Sequence, residues 1–241
     1  MSAAEVSASG WLRLRTSLLD RLAALVLLPV LGPPIALLAW LVRRREGPPA
    51  FVALDRVGAR GTVFRMWKLR SMRAEAPDGT AVGSAITGAS DDRITPTGAW
   101  MRRWRIDELP QLWNVLRGDM GLLGPRPETP TMVDMADPRW REVLSVRPGV
   151  AGPTQLVIER WEAETLTGDD PTVRYEREVL PVKLAIDAWY VGGATLWTDL
   201  RVGWSMVQRF LLHRDEVAIE RTVRAALPEA RSIPPRSASR D

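Results

Sequence analysis

A chain of 241 residues with 46 % apolar and 26 % charged side chains has the composition of one globular unit with appendages, which excludes wholesale disorder, collagen-like repetition and a many-pass membrane protein. The absence of cysteine rules out a disulfide framework, a thiolate metal site and a cysteine nucleophile, and one histidine, His213, leaves almost nothing for a histidine zinc site or a Ser-His-Asp triad. Six arginines against Glu5 and Asp20 in the first 45 residues account for the whole net charge of +4, so the other 196 residues are balanced and lack the cationic body expected of a nucleic-acid partner.

In chain order, residues 1–16 read as a disordered or amphipathic lead-in. Residues 22–42 then run for 21 positions without a charge, long enough to cross a bilayer as a helix. Pro29, Pro33 and Pro34, with Gly32 beside them, predict a sharp kink or a helix-break-helix in its middle. Arginines flank the stretch on both sides, Arg13, Arg15 and Arg21 before it and Arg43, Arg44 and Arg45 after it. A spanning helix carries its cationic excess on one side, so the symmetry favours a re-entrant helix over residues 17–46 that returns to the same face, with a single-pass anchor as the alternative.

Past Gly47-Pro48-Pro49, two runs rich in Val, Phe and Trp flank Gly58-Ala59-Arg60-Gly61, which predicts a β-hairpin. Residues 74–92 are small, polar and glycine-containing, as in a mobile loop that closes over a substrate. Leu109, Leu112, Trp113 and Leu116 then follow a helical template, with Pro110 in the first turn and Gly118 at the end. Further helices are expected near 131–144, over 171–190 and from 196 to 226, with a disordered tail over 227–241. Trp189, Tyr190, Trp197, Trp204 and Phe210 recur through the last helical region, and Trp11 and Trp40 bracket the apolar stretch. Such residues either fill a soluble core or lie at the headgroup level of a bilayer.

Chemistry has to come from carboxylates, Arg, Lys and hydroxyls. Asp107 and Glu108 stand where the Leu112 helix begins; that position suits helix capping, and it equally suits a nucleophile or a magnesium ligand held at a phosphate. Around them lie Arg65, Lys68, Arg70 and Arg73 on one side and Arg102, Arg103 and Arg105 on the other, either a solvated face or a phosphate clamp. The run Gly121-Leu-Leu-Gly-Pro-Arg-Pro-Glu128 fixes Arg126 in a stiff loop, and the run from Arg147 to Pro153 repeats that style.

The segment DDRITPTGAWMRRWRIDELPQLWNVLRGDMGLLGPRPETP, with FRMWKLRSM before it and VRPGVAGPTQL after it, resembles the bacterial sugar transferase family, the monotopic polyprenyl-phosphate phosphoglycosyl transferases, in their short form. The likeness extends from about residue 17 to 212. It implies a mainly α protein with a small β element, a catalytic domain over 47–226, and a re-entrant membrane helix broken at Pro33 and Pro34. It also implies transfer of a sugar-1-phosphate from a UDP-sugar to a polyprenyl phosphate at the cytoplasmic face of the inner membrane. Asp107 becomes the nucleophile, Glu108 the Mg²⁺ ligand, and Lys68, Arg70, Arg102, Arg126 and Arg147 the candidate phosphate contacts. Membrane lipid is an expected partner, nucleic acid is not, and a homodimer is left open.

Three departures from the family pattern stand out. Gly32 replaces the serine often found before the break, Arg105 takes a place that is commonly small and polar, and LVIERWEAE follows Gln155 where an Asn-Gly-Arg stretch is frequent. The rival reading is a nonenzymatic, membrane-anchored scaffold that binds anionic lipid or a partner protein, for which Asp107 and Glu108 would be dispensable.

Overall fold

The computed structural model describes residues 10–73, 93–166 and 170–234. The loop expected over 74–92, the first nine residues and the end of the tail lie outside the described residues. Helix α1 (Gly10–Glu46) is 37 residues long and is long and apolar enough to cross a membrane. It starts well ahead of the expected boundary at residue 17. It also runs on through Pro29, Pro33 and Pro34 instead of splitting into two elements. A proline ring removes a hydrogen bond but holds φ near the helical value, and the surrounding Leu and Ala residues favour helix.

Both ends of α1 dock on the body. At the start, Leu12 is buried, Trp11 Nε1 donates to Asp199 at 2.7 Å, and Arg15 donates to the Tyr190 hydroxyl at 2.8 Å and pairs with Asp199. Asp20 accepts the Leu122 N–H at 3.2 Å. At the far end, Val42 is buried with Ala50, Leu69 and Met101, and Arg70 Nη2 donates to the Glu46 carbonyl at 2.8 Å. Between these docks one side of the helix packs on the body, with Ala24 buried against Val115 and Met120 and Ile35 buried too, while the other side is open, with Val26 69 % and Val30 67 % exposed.

Strands β1 (Phe51–Val57) and β2 (Val63–Leu69) form the expected antiparallel hairpin, with Arg56 opposite Phe64, Leu54 opposite Met66 and Val52 opposite Lys68. Its turn uses left-handed Arg60 and Gly61. Next come α2 (Pro96–Arg103), capped by the Thr95 hydroxyl, and α3 (Gln111–Arg117), which ends at left-handed Gly118 as expected. Trp113 stands out as half exposed, although its spacing groups it with buried Leu112. A short strand β3 (Gly121–Leu123), helix α4 (Pro138–Val143) and strand β4 (Gly149–Ala151) follow.

The two glycine-proline loops, read from sequence as separate rigid turns, in fact pair as parallel strands β3 and β4. Backbone crowding requires their glycines: a Cβ at Gly149 would lie 2.1 Å from the Gly124 nitrogen, and one at Gly152 would lie 2.2 Å from the Gly124 carbonyl oxygen. Helix α5 (Pro153–Thr165) leads to an unbroken helical run over 171–193, whose last part is α6 (Leu180–Gly193). The helix expected over 196–226 is two, α7 (Leu196–Phe210) and α8 (Ala218–Ala226), because the chain turns back at 211–217 so that Arg209 donates to Glu220 at 2.8 Å. Order persists past residue 226, since a short helix α9 (Pro228–Arg231) buries Ala230, and Ile233 follows it inside. The main core lies between α5, the 171–193 run, α7 and α8, around Ile158, Val179, Ile186, Tyr190, Val202 and Ile219.

Candidate active site

Asp107 and Glu108 occupy a tight turn of their own, Ile106–Glu108, one step ahead of α3. The residue before it, Arg105, has φ 53° and ψ 22°, a left-handed conformation that a branched-chain-free but bulky side chain adopts at a cost of order 1 kcal/mol. Pro110 begins α3 and no side chain caps that helix, so the acidic pair is not employed as a cap. Both carboxylates are buried, Asp107 at 4 % and Glu108 at 6 % exposure. Buried charge has to be compensated, and the two residues are compensated very differently.

Glu108 is saturated with cations. Lys68 Nζ donates to Oε1 at 2.9 Å, Arg126 Nη2 to the same oxygen at 3.0 Å, and Arg105 Nη1 to Oε2 at 3.3 Å. Burial alone would push its pKa up, but Arg126, Lys68 and Arg105 outweigh that and hold it well below the usual glutamate range. No hydrogen bond from the described residues reaches the Asp107 carboxylate. Burial pushes its pKa up, Lys68 pulls it down, the Glu108 charge pushes it up again, and the result is a raised value. Adjacent acids in opposed environments are the pattern by which one site keeps two carboxylates in two roles.

Each cation reaches the turn from a different element. Lys68 stands on β2, which Asn114 of α3 fixes by accepting the Trp67 N–H at 3.0 Å and donating to the Arg65 carbonyl at 2.8 Å. Burial lowers the Lys68 pKa, partly offset by Glu108. Arg102, at the end of α2, donates to the Ser71 hydroxyl at 2.9 Å and acts electrostatically on Asp107. Gly98 permits that approach, since a Cβ there would meet the Ser71 carbonyl oxygen at 1.9 Å. Arg105 also pairs with Glu159 of α5, and its guanidinium lies 5.1 Å from the Phe210 ring centroid.

Arg126 rides on a loop locked from three sides. Gly149 N–H donates to the Pro125 carbonyl at 2.9 Å, and Val57 N–H donates to the Glu128 carbonyl at 2.8 Å. The Glu128 carboxylate accepts from Lys183 Nζ, the Tyr175 hydroxyl and the Thr129 N–H. Burial opposes its charge, yet Lys183 and Tyr175 bring its pKa down to about 2. Helix α6 also carries Asp187 one turn on from Lys183, and its carboxyl accepts from Thr154 and is pushed by burial up to about 7.

Of the residues singled out by sequence, Asp107, Glu108, Lys68, Arg102 and Arg126 converge. Arg70 and Arg147 do not. Arg70 caps the end of α1 through the Glu46 and Gly47 carbonyls, and Arg147 Nη1 donates to the Thr16 carbonyl at 2.7 Å, among Arg21, Asp119 and Asp20. Both are expended on docking α1, which only the tertiary structure can disclose. Sequence reasoning missed Glu159, Glu128, Tyr175 and Lys183 as supporting groups. Lys183 carried a usable signal, being one of two lysines in the chain and set four residues before Asp187 in an otherwise apolar helix.

A family model described as bacterial sugar transferase matches residues 11–213. Among curated relatives, a UDP-glucose:undecaprenyl-phosphate glucose-1-phosphate transferase of Caulobacter vibrioides is 39 % identical over 193 residues, covering 78 % of this chain and 67 % of the relative. A UDP-N-acetylgalactosamine-undecaprenyl-phosphate N-acetylgalactosaminephosphotransferase of Aeromonas hydrophila is 33 % identical over 80 % of this chain and 43 % of its own length. An undecaprenyl-phosphate galactose phosphotransferase of Salmonella typhimurium is 30 % identical over 79 % of this chain and 39 % of its own. The chain therefore spans less than half the length of two of these three relatives.

Proposed function

Because the chain belongs to the bacterial sugar transferase family, we propose that it moves a sugar-1-phosphate from a UDP-sugar to a polyprenyl phosphate, the opening membrane step of a surface glycan. The observation that carries the mechanism is the contrast between Asp107, whose carboxylate accepts no hydrogen bond from the described residues and whose pKa is raised, and Glu108, held ionised by three cations. A basic carboxylate is suited to attack phosphorus. An Asp107 oxygen attacks the β-phosphorus, the bond from that phosphorus to the bridging oxygen breaks, and UMP leaves. A phosphate oxygen of the polyprenyl acceptor then attacks the same phosphorus and expels the Asp107 carboxylate, giving the polyprenyl diphosphate sugar. Lys68, Arg102 and Arg126 neutralise the diphosphate and orient it.

Among the described residues no set of three His, Cys, Asp or Glu side chains could hold a metal by itself. Magnesium is nevertheless commonly bound by one or two carboxylates together with substrate phosphates and water, and ionised Glu108 would take that role where bound phosphates draw Lys68 and Arg126 away from its Oε1. The chemistry such an ion supplies is offset of the negative charge that gathers on the diphosphate.

Membrane attachment through a re-entrant α1, with the body at the cytoplasmic face, agrees with the docking of both helix ends on that body. Exposed Trp197, Leu200 and Trp204 on α7 add a second apolar face suited to lie on the bilayer. The test is UMP release by the full chain in detergent or nanodiscs, from a panel of UDP-sugars with polyprenyl phosphate. UMP release that stops in EDTA, returns with Mg²⁺ and is lost in Glu108→Gln supports the reading; no UMP from any donor leaves the scaffold.

A further inference from the structure

Strand β1 carries a cation that the reaction above leaves idle. Residues paired across antiparallel strands share a face, as do residues two apart on one strand. Arg56 opposite Phe64 and Val52 opposite Lys68 therefore put Arg56 and Lys68 on one face of the hairpin, about 13 Å apart along the strands. It is the inward face, since Leu54, Phe64 and Met66 on it pack with Val115 and Met120. An arginine there needs a reason. The N–H of neighbouring Val57 is the one that fastens β1 to the Glu128 carbonyl, so the hairpin delivers Arg56 to the loop that carries Arg126.

No acid neutralises Arg56 among the described residues. Its one hydrogen bond runs from Nη1 to the carbonyl of adjacent Asp55 at 3.3 Å. Glu128 is the acid that acts on it most, yet that carboxylate is taken by Lys183, Tyr175 and Thr129. Glu108 is taken by Lys68, Arg126 and Arg105. Burial lowers the Arg56 pKa and the Arg126 charge lowers it further. Arg126 has Glu108 as its partner at 3.0 Å, whereas Arg56, partly dehydrated at the edge of the same loop, has no acid of its own among the described residues, an arrangement that an arriving anion relieves.

Lys68 meets the acidic pair through Glu108 at 2.9 Å at one end of this face, whereas Arg56 stands at its other end, next to the Val57 N–H that bonds the Glu128 carbonyl at 2.8 Å. In an in-line displacement the leaving oxygen lies opposite the nucleophile. We infer that Arg56, at the loop that carries Arg126, forms the subsite for the nucleoside-monophosphate half of the donor and grips the α-phosphate that departs on UMP. This rests on the phosphoglycosyl transfer reading.

The test compares UMP and uridine binding to the full chain in detergent by calorimetry, for the unaltered protein, Arg56→Ala and Arg56→Gln. A phosphate contact predicts that either variant weakens UMP by about tenfold or more while uridine affinity stays within about twofold. Donor KM rises in step, and acceptor KM does not. Equal loss of UMP and uridine would mark a merely structural residue and overturn the subsite. Unchanged UMP affinity with a raised acceptor KM would move Arg56 to the acceptor and overturn it too. Should the unaltered protein bind no uridine nucleotide at all, the transfer reading itself falls, and the subsite with it.

Discussion

Asp107 and Glu108 are neighbours in sequence and opposites in environment, and a measurable pH dependence follows from that. Attack requires Asp107 ionised, and burial has raised its pKa above the ordinary aspartate value of 3.8. Glu108 titrates well below 4.5, so it stays charged over the range in which Asp107 takes up its proton. The acid limb of kcat/KM is therefore expected as a single ionisation above the ordinary aspartate value of 3.8, and a limb at or below 3.8 contradicts the assignment. The same shift makes ionised Asp107 oppose folding. Its cost grows as pH rises from the unfolded to the folded pKa and is constant beyond. Asp107→Asn is accordingly expected to lower activity by about 10⁴-fold or more while unfolding at neutral pH no sooner than the unaltered protein. Thermal unfolding followed by circular dichroism checks the second half.

At the scale of elements, α1 is the unusual object. A helix of 37 residues is about 55 Å long if straight, well beyond a hydrocarbon core of about 30 Å. Yet Trp11, Arg15 and Asp20 bond to the body at one end, and Glu46 accepts from Arg70 of the same body at the other. A body on one side of the bilayer can hold both ends only if both lie on that side. Single cysteines at Ser17 and at Arg45, both exposed and introduced into a cysteine-free chain, should react with an impermeant thiol reagent only when the cytoplasmic face is open. Labelling of one site from each side would establish a spanning helix. The hairpin, the Pro110–Gly118 helix and the apolar stretch were all legible in the sequence because each is written locally, in alternation, in helical spacing and in turn residues. The β3–β4 pair was not. Three-residue strands carry no pattern, and their glycines reveal a purpose only when two backbones meet.

Across the whole molecule, the acidic pair and three of its cations could be read from motif and charge density, whereas the division of the remaining arginines could not. Arg70 and Arg147 share the chemistry of Arg126 but spend it on α1, and Arg56, within an ordinary strand, shares the face of the hairpin that carries Lys68. Which arginine meets a carbonyl and which is left for a substrate depends on contacts up to 131 positions apart along the chain. The assembled site makes one central claim, that Asp107 becomes covalently phosphorylated by the donor. A general base at the same position would also fail in Asp107→Asn, so loss of activity cannot separate the two mechanisms. Covalent catalysis releases UMP before any acceptor is present. The deciding measurement incubates the enzyme with its UDP-sugar and no polyprenyl phosphate, then quantifies UMP and the mass of the peptide containing Asp107. The account predicts about one UMP per active site and a sugar-phosphate adduct on that peptide, both absent in Asp107→Asn; no burst and no adduct, with turnover intact once the acceptor is added, would contradict it.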